Sequence, residues 1–290
     1  MSSHSLGNKQ SQTTLANIAL KAALEANAAI MDVYSGKIIP EEKADGSPVT
    51  LADKRAHEII TGHLQKTAIP VISEEGIIPD HQVRMSWPYY WMVDPMDGTK
   101  EFIGRNGEFT VNIALIADGN PVIGVITAPA LQMAWVGVRG EQPRKVRIST
   151  AIDLPDHDGR LHGKFLKKRG HSGGAMTVAV SRSHLDPDTT SLVRKLERGH
   201  PGLTTHPKGS SLKFCDLAEG LATIYPRYTP TFEWDTAAGH AILNASGGEL
   251  FDMQTMKPLR YTKKELINPP LIAFANKEES GKFFSQPAFD

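Results

Sequence analysis

The segment Trp91-Met92-Val93-Asp94-Pro95-Met96-Asp97-Gly98-Thr99 limits what this chain can become more than any other. Tyr90 to Val93 is an aromatic and apolar run suited to a buried strand. It empties into a turn holding a proline and a glycine, so Asp94 and Asp97 leave the core together and can be aimed at one point. Two close carboxylates repel unless one takes a proton or a cation sits between them, and hard oxygen donors suit magnesium. For an isolated Asp-x-x-Asp, an Asp-Pro turn followed by a helix-capping aspartate would be the preferred reading. The surroundings reverse that preference.

Gly98-Thr99 can open a helix whose unpaired N–H groups would face an anion, for which phosphate is the natural guest. Glu74 follows a short β-type run, Pro70 to Ser73, and Asp235 stands at the start of a helix in Glu233-Trp234-Asp235-Thr236-Ala237. Either alone would pass as a capping or surface acid. With Asp94 and Asp97 they suggest a two-metal phosphatase, in which one ion activates water and both stabilise charge on the transferring phosphoryl group. Asp53 falls in the acidic first turn of a helix expected over Ala52 to Gln65, capped by Thr50.

The fold class expected is mixed: an α+β half followed by an α/β half. In residues 14–139, Leu15, Ile18, Ala19, Ala22, Ala26, Ile30 and Val33 predict a helix over Thr14 to Tyr34. Strands are expected over Phe109 to Ala117, Val122 to Thr127 and Met133 to Val138, with residues 118–121 as a hairpin turn. Residues 140–174 carry scattered Pro, Gly and Lys and read as a linker with mobile loops, whose Lys164, Lys167, Lys168 and Arg169 are solvated. Residues 175–290 alternate strands and helices: Thr177 to Ser181, Asp188 to Glu197, a Ser-capped helix over Ser210 to Leu221, Ala222 to Tyr225, Asp235 to Ala245, then Glu249 to Phe251 after Gly247-Gly248.

Lys plus Arg equals Asp plus Glu at 32 each, so no global positive field favours a nucleic-acid polymer. Anion recognition must be local. The single cysteine, Cys215, excludes an internal disulfide and fits a reducing compartment. Residues 1–13 are expected to be a disordered leader without signal-peptide character. No stretch approaches the ~18 consecutive apolar residues of a membrane span, so the expected location is cytoplasmic, with peripheral contact at the inner membrane still open. The sequence does not set the oligomeric state.

Leu51-Ala52-Asp53, Ser73-Glu74-Glu75-Gly76, Asp94-Pro95-Met96-Asp97-Gly98-Thr99 and Trp234-Asp235-Thr236-Ala237-Ala238 together resemble, in order, the metal-binding signatures of the inositol monophosphatase superfamily. The resemblance spans about Leu15 to Phe251. It implies a layered αβαβα sugar-phosphatase-like fold and two or three Mg2+ ions, bound by Glu74, Asp94, Asp97, Asp235 and the carbonyl of Met96. It further implies that Asp53 and Thr99 orient the attacking water without a covalent intermediate, that Glu75 acts only indirectly, and that lithium inhibits. Met96 replaces the usual leucine or isoleucine, a small departure because the expected ligand is its carbonyl.

Past this shared core, Gly98-Thr99-Lys100-Glu101-Phe102-Ile103 and Asn106 to Ile113 resemble the bisphosphate nucleotidase branch, and within it the bacterial CysQ group associated with sulfur assimilation. Ser181-Arg182-Ser183-His184, Gly209 to Cys215 and Tyr225-Pro226-Arg227 resemble segments that line the nucleotide there. By position, His184, Ser210, Lys213 and Arg227 join Glu74, Asp97, Gly98, Thr99 and Asp235 as substrate contacts. Lys213 and Arg227 can hold a phosphate that is not cleaved, through charge-assisted hydrogen bonds. Taken singly, Lys213 could be a solvated helix residue, Arg227 a surface arginine and Ser210 a helix cap. The resemblance implies hydrolysis of adenosine 3',5'-bisphosphate to AMP and phosphate. An inositol or other sugar phosphatase, and a non-catalytic nucleotide- or metal-binding member, are the alternatives.

Overall fold

The computed structural model describes residues 9–42, 48–148, 163–166, 175–183 and 186–284. In the first half, α1 (Lys9–Ser35), a two-strand ladder of β1 (Glu41–Glu42) and β2 (Pro48–Val49), and α2 (Leu51–Leu64) precede a seven-stranded sheet. Its strands lie in chain order: β3 (Val71–Ser73), β4 (Tyr89–Asp97), β5 (Thr110–Ala117), β6 (Asn120–Ala128), β7 (Met133–Val138), β8 (Arg144–Arg147) and β9 (Lys164–Phe165). Two short helices, α3 (His81–Met85) and α4 (Thr99–Ile103), flank β4. Only β3 to β4 is parallel in this sheet.

The second half contributes β10 (Thr177–Ser181), α5 (Pro187–Gly199), β11 (Thr204–Lys208), α6 (Leu212–Glu219), β12 (Ile224–Arg227), β13 (Thr231–Phe232) and α7 (Glu233–Ser246). It ends with β14 (Glu249–Asp252), β15 (Lys257–Pro258), β16 (Ile267–Asn268), β17 (Leu271–Phe274) and α8 (Lys277–Phe284). A six-stranded sheet runs β11-β10-β12-β17-β14-β15, and β13 pairs with β16 apart from it. Strand β10 is parallel to both neighbours, whereas β17 is antiparallel to both of its own.

Three apolar interfaces stack these elements. Ala19, Ala22, Ala26 and Ile30 of α1, with Ala56 and Ile60 of α2, cover Trp91, Val93, Val111, Ile113 and Val125 on one face of the first sheet. On its other face, Met92, Ala114 and Ile116 meet Phe214 and Leu217 of α6 and Ala238 and Ile242 of α7, which also rest on Tyr225, Leu250 and Ala273 of the second sheet. The outer face of that sheet, with Val178, Ile224 and Ile272, is covered by Leu192 and Leu196 of α5 and Phe283 of α8. The result is the αβαβα layering expected. Helix α7 sits unusually close to the first sheet, because a Cβ on Gly137 would lie 2.6 Å from Cα of Ile242. Only glycine allows that approach.

Several expected boundaries move. Residues 9–13, expected in the leader, form the first turns of α1. Their Lys, Gln, Ser and Thr carry no apolar stripe to signal a helix. Within residues 140–174, β8 pairs onto β7 and β9 onto β8, so part of the expected linker is sheet edge; Lys167, Lys168 and Arg169 lie outside the described residues. Among the described residues no helix is long and apolar enough to cross a membrane.

Candidate active site

The site lies where the carboxyl end of β4, the segment before α6 and the amino end of α7 converge. Strand β4 continues through both aspartates, so the expected turn is a bulge: pairing with β5 shifts register between Asp94 and Asp97. A bulge re-aims side chains without ending the strand. Asp94 is 1% exposed and accepts the backbone N–H of Met96 at 3.0 Å. Gly98 then takes φ 92°, in the left-handed region, and α4 begins at Thr99. Glu74 leaves β3 beside it, its N–H donating to the carbonyl of Val93 at 3.1 Å.

Asp53 sits in a capping box, as expected of an acid in a first helical turn. Its Oδ2 accepts the N–H and hydroxyl of Thr50 at 2.7 and 2.8 Å. Its Oδ1 faces the Thr99 hydroxyl at 3.5 Å, so the two expected water-orienting groups are brought together at the outer limit of a hydrogen bond. Burial, reinforced by Glu75, pushes the Asp53 carboxyl up to about 6. Asp235 accepts the N–H of Phe232 at 2.8 Å on Oδ2, closing the first turn of α7, which begins two residues before the expected start.

One cleft is lined by Glu74, Asp97, Gly98, Thr99, Ser210, Lys213, Arg227 and Asp235, eight of the sequence-derived candidates. Asp53, Asp94 and Met96 are packed behind it, each at most 2% exposed. His184 lies outside the described residues. Among the described residues no three His, Cys, Asp or Glu side chains converge as a preformed ligand cluster. The fit to a cation rests on electrostatics. Burial and then Glu74, Asp97, Asp235 and Asp53 hold the Asp94 carboxyl well above its usual range, and burial and then Asp97 do the same for Asp235. A hard divalent cation among these oxygen donors relieves that repulsion.

Two candidates take on more than their expected roles. Ser210 was expected to cap a helix or touch substrate, yet α6 begins only at Leu212 and no serine side chain caps it. Instead the Ser210 hydroxyl donates to Oδ2 of Asp97 at 2.7 Å. Lys213 is buried, with Nζ on the carbonyls of Ser210 and Lys208 at 2.6 and 3.2 Å, so it braces this turn while also lining the cleft. Burial lowers its ammonium pKa to about 8. Arg227 donates from Nε to the carbonyl of Thr229 at 3.3 Å.

Sequence reasoning missed Thr110, Asn112 and Ser211. The signal was there in Thr110-Val111-Asn112: two polar residues on one face of a strand otherwise apolar on both faces. It also missed the clasp between halves, in which Glu108 accepts both Nε and Nη2 of Arg182 at 2.8 and 2.9 Å and the N–H of Gly209 at 2.7 Å. Ser183 likewise donates to Glu101 at 2.7 Å.

Comparison with known proteins is consistent across sequence and fold. Residues 11–284 match the inositol monophosphatase family. The chain is 44% identical over 253 residues to the 3'(2'),5'-bisphosphate nucleotidase CysQ of Shigella flexneri, covering 85% of this chain and 94% of that protein. Identity to the protein of the same name from Escherichia coli strain K12 is 43% over the same length. The crystal structure of CysQ from Bacteroides thetaiotaomicron, a bacterial member of the inositol monophosphatase family, superposes with a TM-score of 0.79 at 41% identity, covering 91% of this chain and 98% of that one. The suhB protein of Bartonella henselae, at 22% identity and a TM-score of 0.71, shares the fold.

Proposed function

The chain belongs to the inositol monophosphatase family, and from that premise we propose that it is a magnesium-dependent 3'(2'),5'-bisphosphate nucleotidase that converts adenosine 3',5'-bisphosphate to AMP and phosphate. The observation that carries this reading is the 44% identity to a CysQ nucleotidase over 94% of its length, with the carboxylate-lined cleft as its physical counterpart. Glu74, Asp94, Asp97, Asp235 and the Met96 carbonyl would hold two or three ions. When bound, such ions supply a water nucleophile at neutral pH and a charge clamp on the phosphoryl oxygens.

The chain's own residues do the rest. The capping box fixes Asp53, whose Oδ1 accepts the Thr99 hydroxyl proton and leaves a Thr99 lone pair to accept from the water. The water oxygen bonds to phosphorus as the bond to the ribose 3' oxygen breaks, with no enzyme-bound ester. Arg227 and Lys213 hold the 5'-phosphate, which stays on the product. In this reading residues 14–139 carry most metal ligands and residues 175–290 most nucleotide contacts, acting on a small cytoplasmic metabolite.

Phosphate release from a panel of adenosine 3',5'-bisphosphate, adenosine 3'-monophosphate and inositol 1-phosphate, in magnesium and in chelator, tests the proposal. The bisphosphate should have the highest kcat/KM and require magnesium. A higher value for inositol 1-phosphate would make the enzyme a sugar phosphatase. No turnover of any substrate would make it a binding protein.

A further inference from the structure

Among the described residues, the side chains that donate to Oδ2 of Asp97 belong to two polar pairs on opposite halves of the chain, Ser210 with Ser211 and Thr110 with Asn112. The hydroxyls of Ser210 and Ser211 donate to it at 2.7 and 2.8 Å. Behind them stand Thr110 and Asn112 of β5: Thr110 Oγ1 lies 2.5 Å from Ser210 Oγ, and Asn112 Nδ2 donates to Ser211 Oγ at 2.9 Å and approaches Asp97 Oδ2 at 3.5 Å. Thr110, Asn112 and Ser211 are at most 2% exposed.

Each hydroxyl has one proton, and this orders the network. Ser211 lies within reach of both Asp97 Oδ2 and the carbonyl of Asp235 at 2.9 Å. The ionised oxygen is the stronger acceptor and draws the proton. Ser210 is drawn the same way. Thr110 Oγ1 also lies 3.0 Å from Asn112 Oδ1, but its approach to Ser210 Oγ at 2.5 Å is the shorter and would otherwise hold no proton, so Thr110 donates to Ser210. Asn112 cannot be reversed, because its Oδ1 would then face the Asp97 carboxylate while its amide lost the Ser211 acceptor. Two donor chains therefore run from β5 through the serines to one oxygen, leaving Oδ1 of Asp97 for other partners.

The turn that carries the serines is strained for this purpose. Ser210 has φ +50°, a left-handed conformation uncommon for residues other than glycine. Lys213 Nζ holds it there through the Ser210 carbonyl at 2.6 Å. Backbone strain of this kind persists where surrounding structure fixes it, and often at functional sites.

We propose that Thr110, Asn112, Ser210 and Ser211 are positioning residues that fix the Asp97 carboxylate for a divalent cation, so that cation binding is coupled to docking of the two halves. This rests on the reading of Asp97 as a metal ligand. The relay predicts that Ser211→Ala and Thr110→Val weaken Mg2+ binding about tenfold, within the range seen when groups that orient a metal ligand are removed. Ser211→Thr and Thr110→Ser, which keep the hydroxyls, should restore it.

The test is isothermal titration of substrate-free protein with Mg2+, alongside melting temperatures in chelator, for these four variants and Asp97→Asn. Weakened binding in the two hydroxyl-deleting variants, with recovery in the two conservative ones, supports the relay. If Asp97→Asn weakens binding while Ser211→Ala and Thr110→Val bind as wild type, the relay is wrong and Asp97 remains a ligand. If Asp97→Asn itself binds as wild type, the ligand reading fails first. A fall in melting temperature without a change in Mg2+ affinity would reduce the four residues to a structural role.

Discussion

Replacing Arg227 by alanine separates a nucleotide bisphosphatase from a sugar phosphatase. Arg227 ends β12 and lines the cleft with Lys213; both come from the second half, whereas Glu74 and Thr99 of the same lining come from the first. Its Nε is committed to Thr229 at 3.3 Å, which sets the guanidinium plane. A charged hydrogen bond to a phosphate is worth about 1.5 to 3 kcal/mol. At about 1.4 kcal/mol per decade, that is roughly a tenfold to hundredfold rise in KM for adenosine 3',5'-bisphosphate. Lys213 stays in place, so complete loss is not expected. Adenosine 3'-monophosphate has no 5'-phosphate for the guanidinium to meet, and its KM should change little. Measuring kcat and KM for both substrates on wild type and Arg227→Ala closes a thermodynamic cycle. Equal losses on the two substrates would remove Arg227 from the 5'-phosphate site.

Three further outcomes follow from the same geometry. Asp97→Asn should abolish magnesium-dependent phosphate release while the circular dichroism spectrum is unchanged, and lithium should inhibit the wild type; equal wild-type rates in chelator and in magnesium would contradict both. Thr99→Ala should lower kcat by about a hundredfold, the scale of lost general-base assistance, with little change in KM; a defect in KM alone would reassign Thr99 to substrate anchoring. Arg182, Lys208 and the N–H of Gly209 hold the Glu108 carboxyl down at about 2 against the cost of burial. A depressed acid stabilises the fold above its unfolded value near 4.5 and loses that contribution as pH falls towards 2. After allowance for solvent around the exposed guanidinium the contribution is on the order of 1 kcal/mol. Denaturant unfolding of Glu108→Gln between pH 5 and 2.5 should show a shallower fall in stability than wild type, and parallel curves would refute the assignment.

Some of this was legible in the sequence for reasons that can be stated. The α1 stripe and the Thr50-Asp53 box are local patterns, and local patterns survive folding. Strand β17 went unread although it is central to the second sheet. Leu271 to Phe274 is only four residues, buried on both faces, so it shows no alternation to betray it. At the other edge of that sheet, Thr204–Lys208 is polar, carries a proline and has no residue buried, and it reads as loop until its pairing with β10 is seen.

The site divides along the same line. Carboxylates at the ends of apolar runs stand out because burial of the run makes their position costly, so Glu74, Asp94 and Asp97 could be picked by chemistry, and Asp235, an acid in the first turn of a helix, gained meaning only beside them. Ser210 and Ser211 could not be picked this way. Serines before a helix are caps in most contexts, and only the left-handed backbone at Ser210, braced by Lys213 across the turn, takes their hydroxyls away from α6 and onto Asp97. That choice depends on β5 lying against the turn with Thr110 and Asn112 bonded to the serines, about a hundred residues earlier in the chain. A carboxylate shows its need for a cation from its neighbours in sequence, but what holds the carboxylate in place is written in the docking of the two halves.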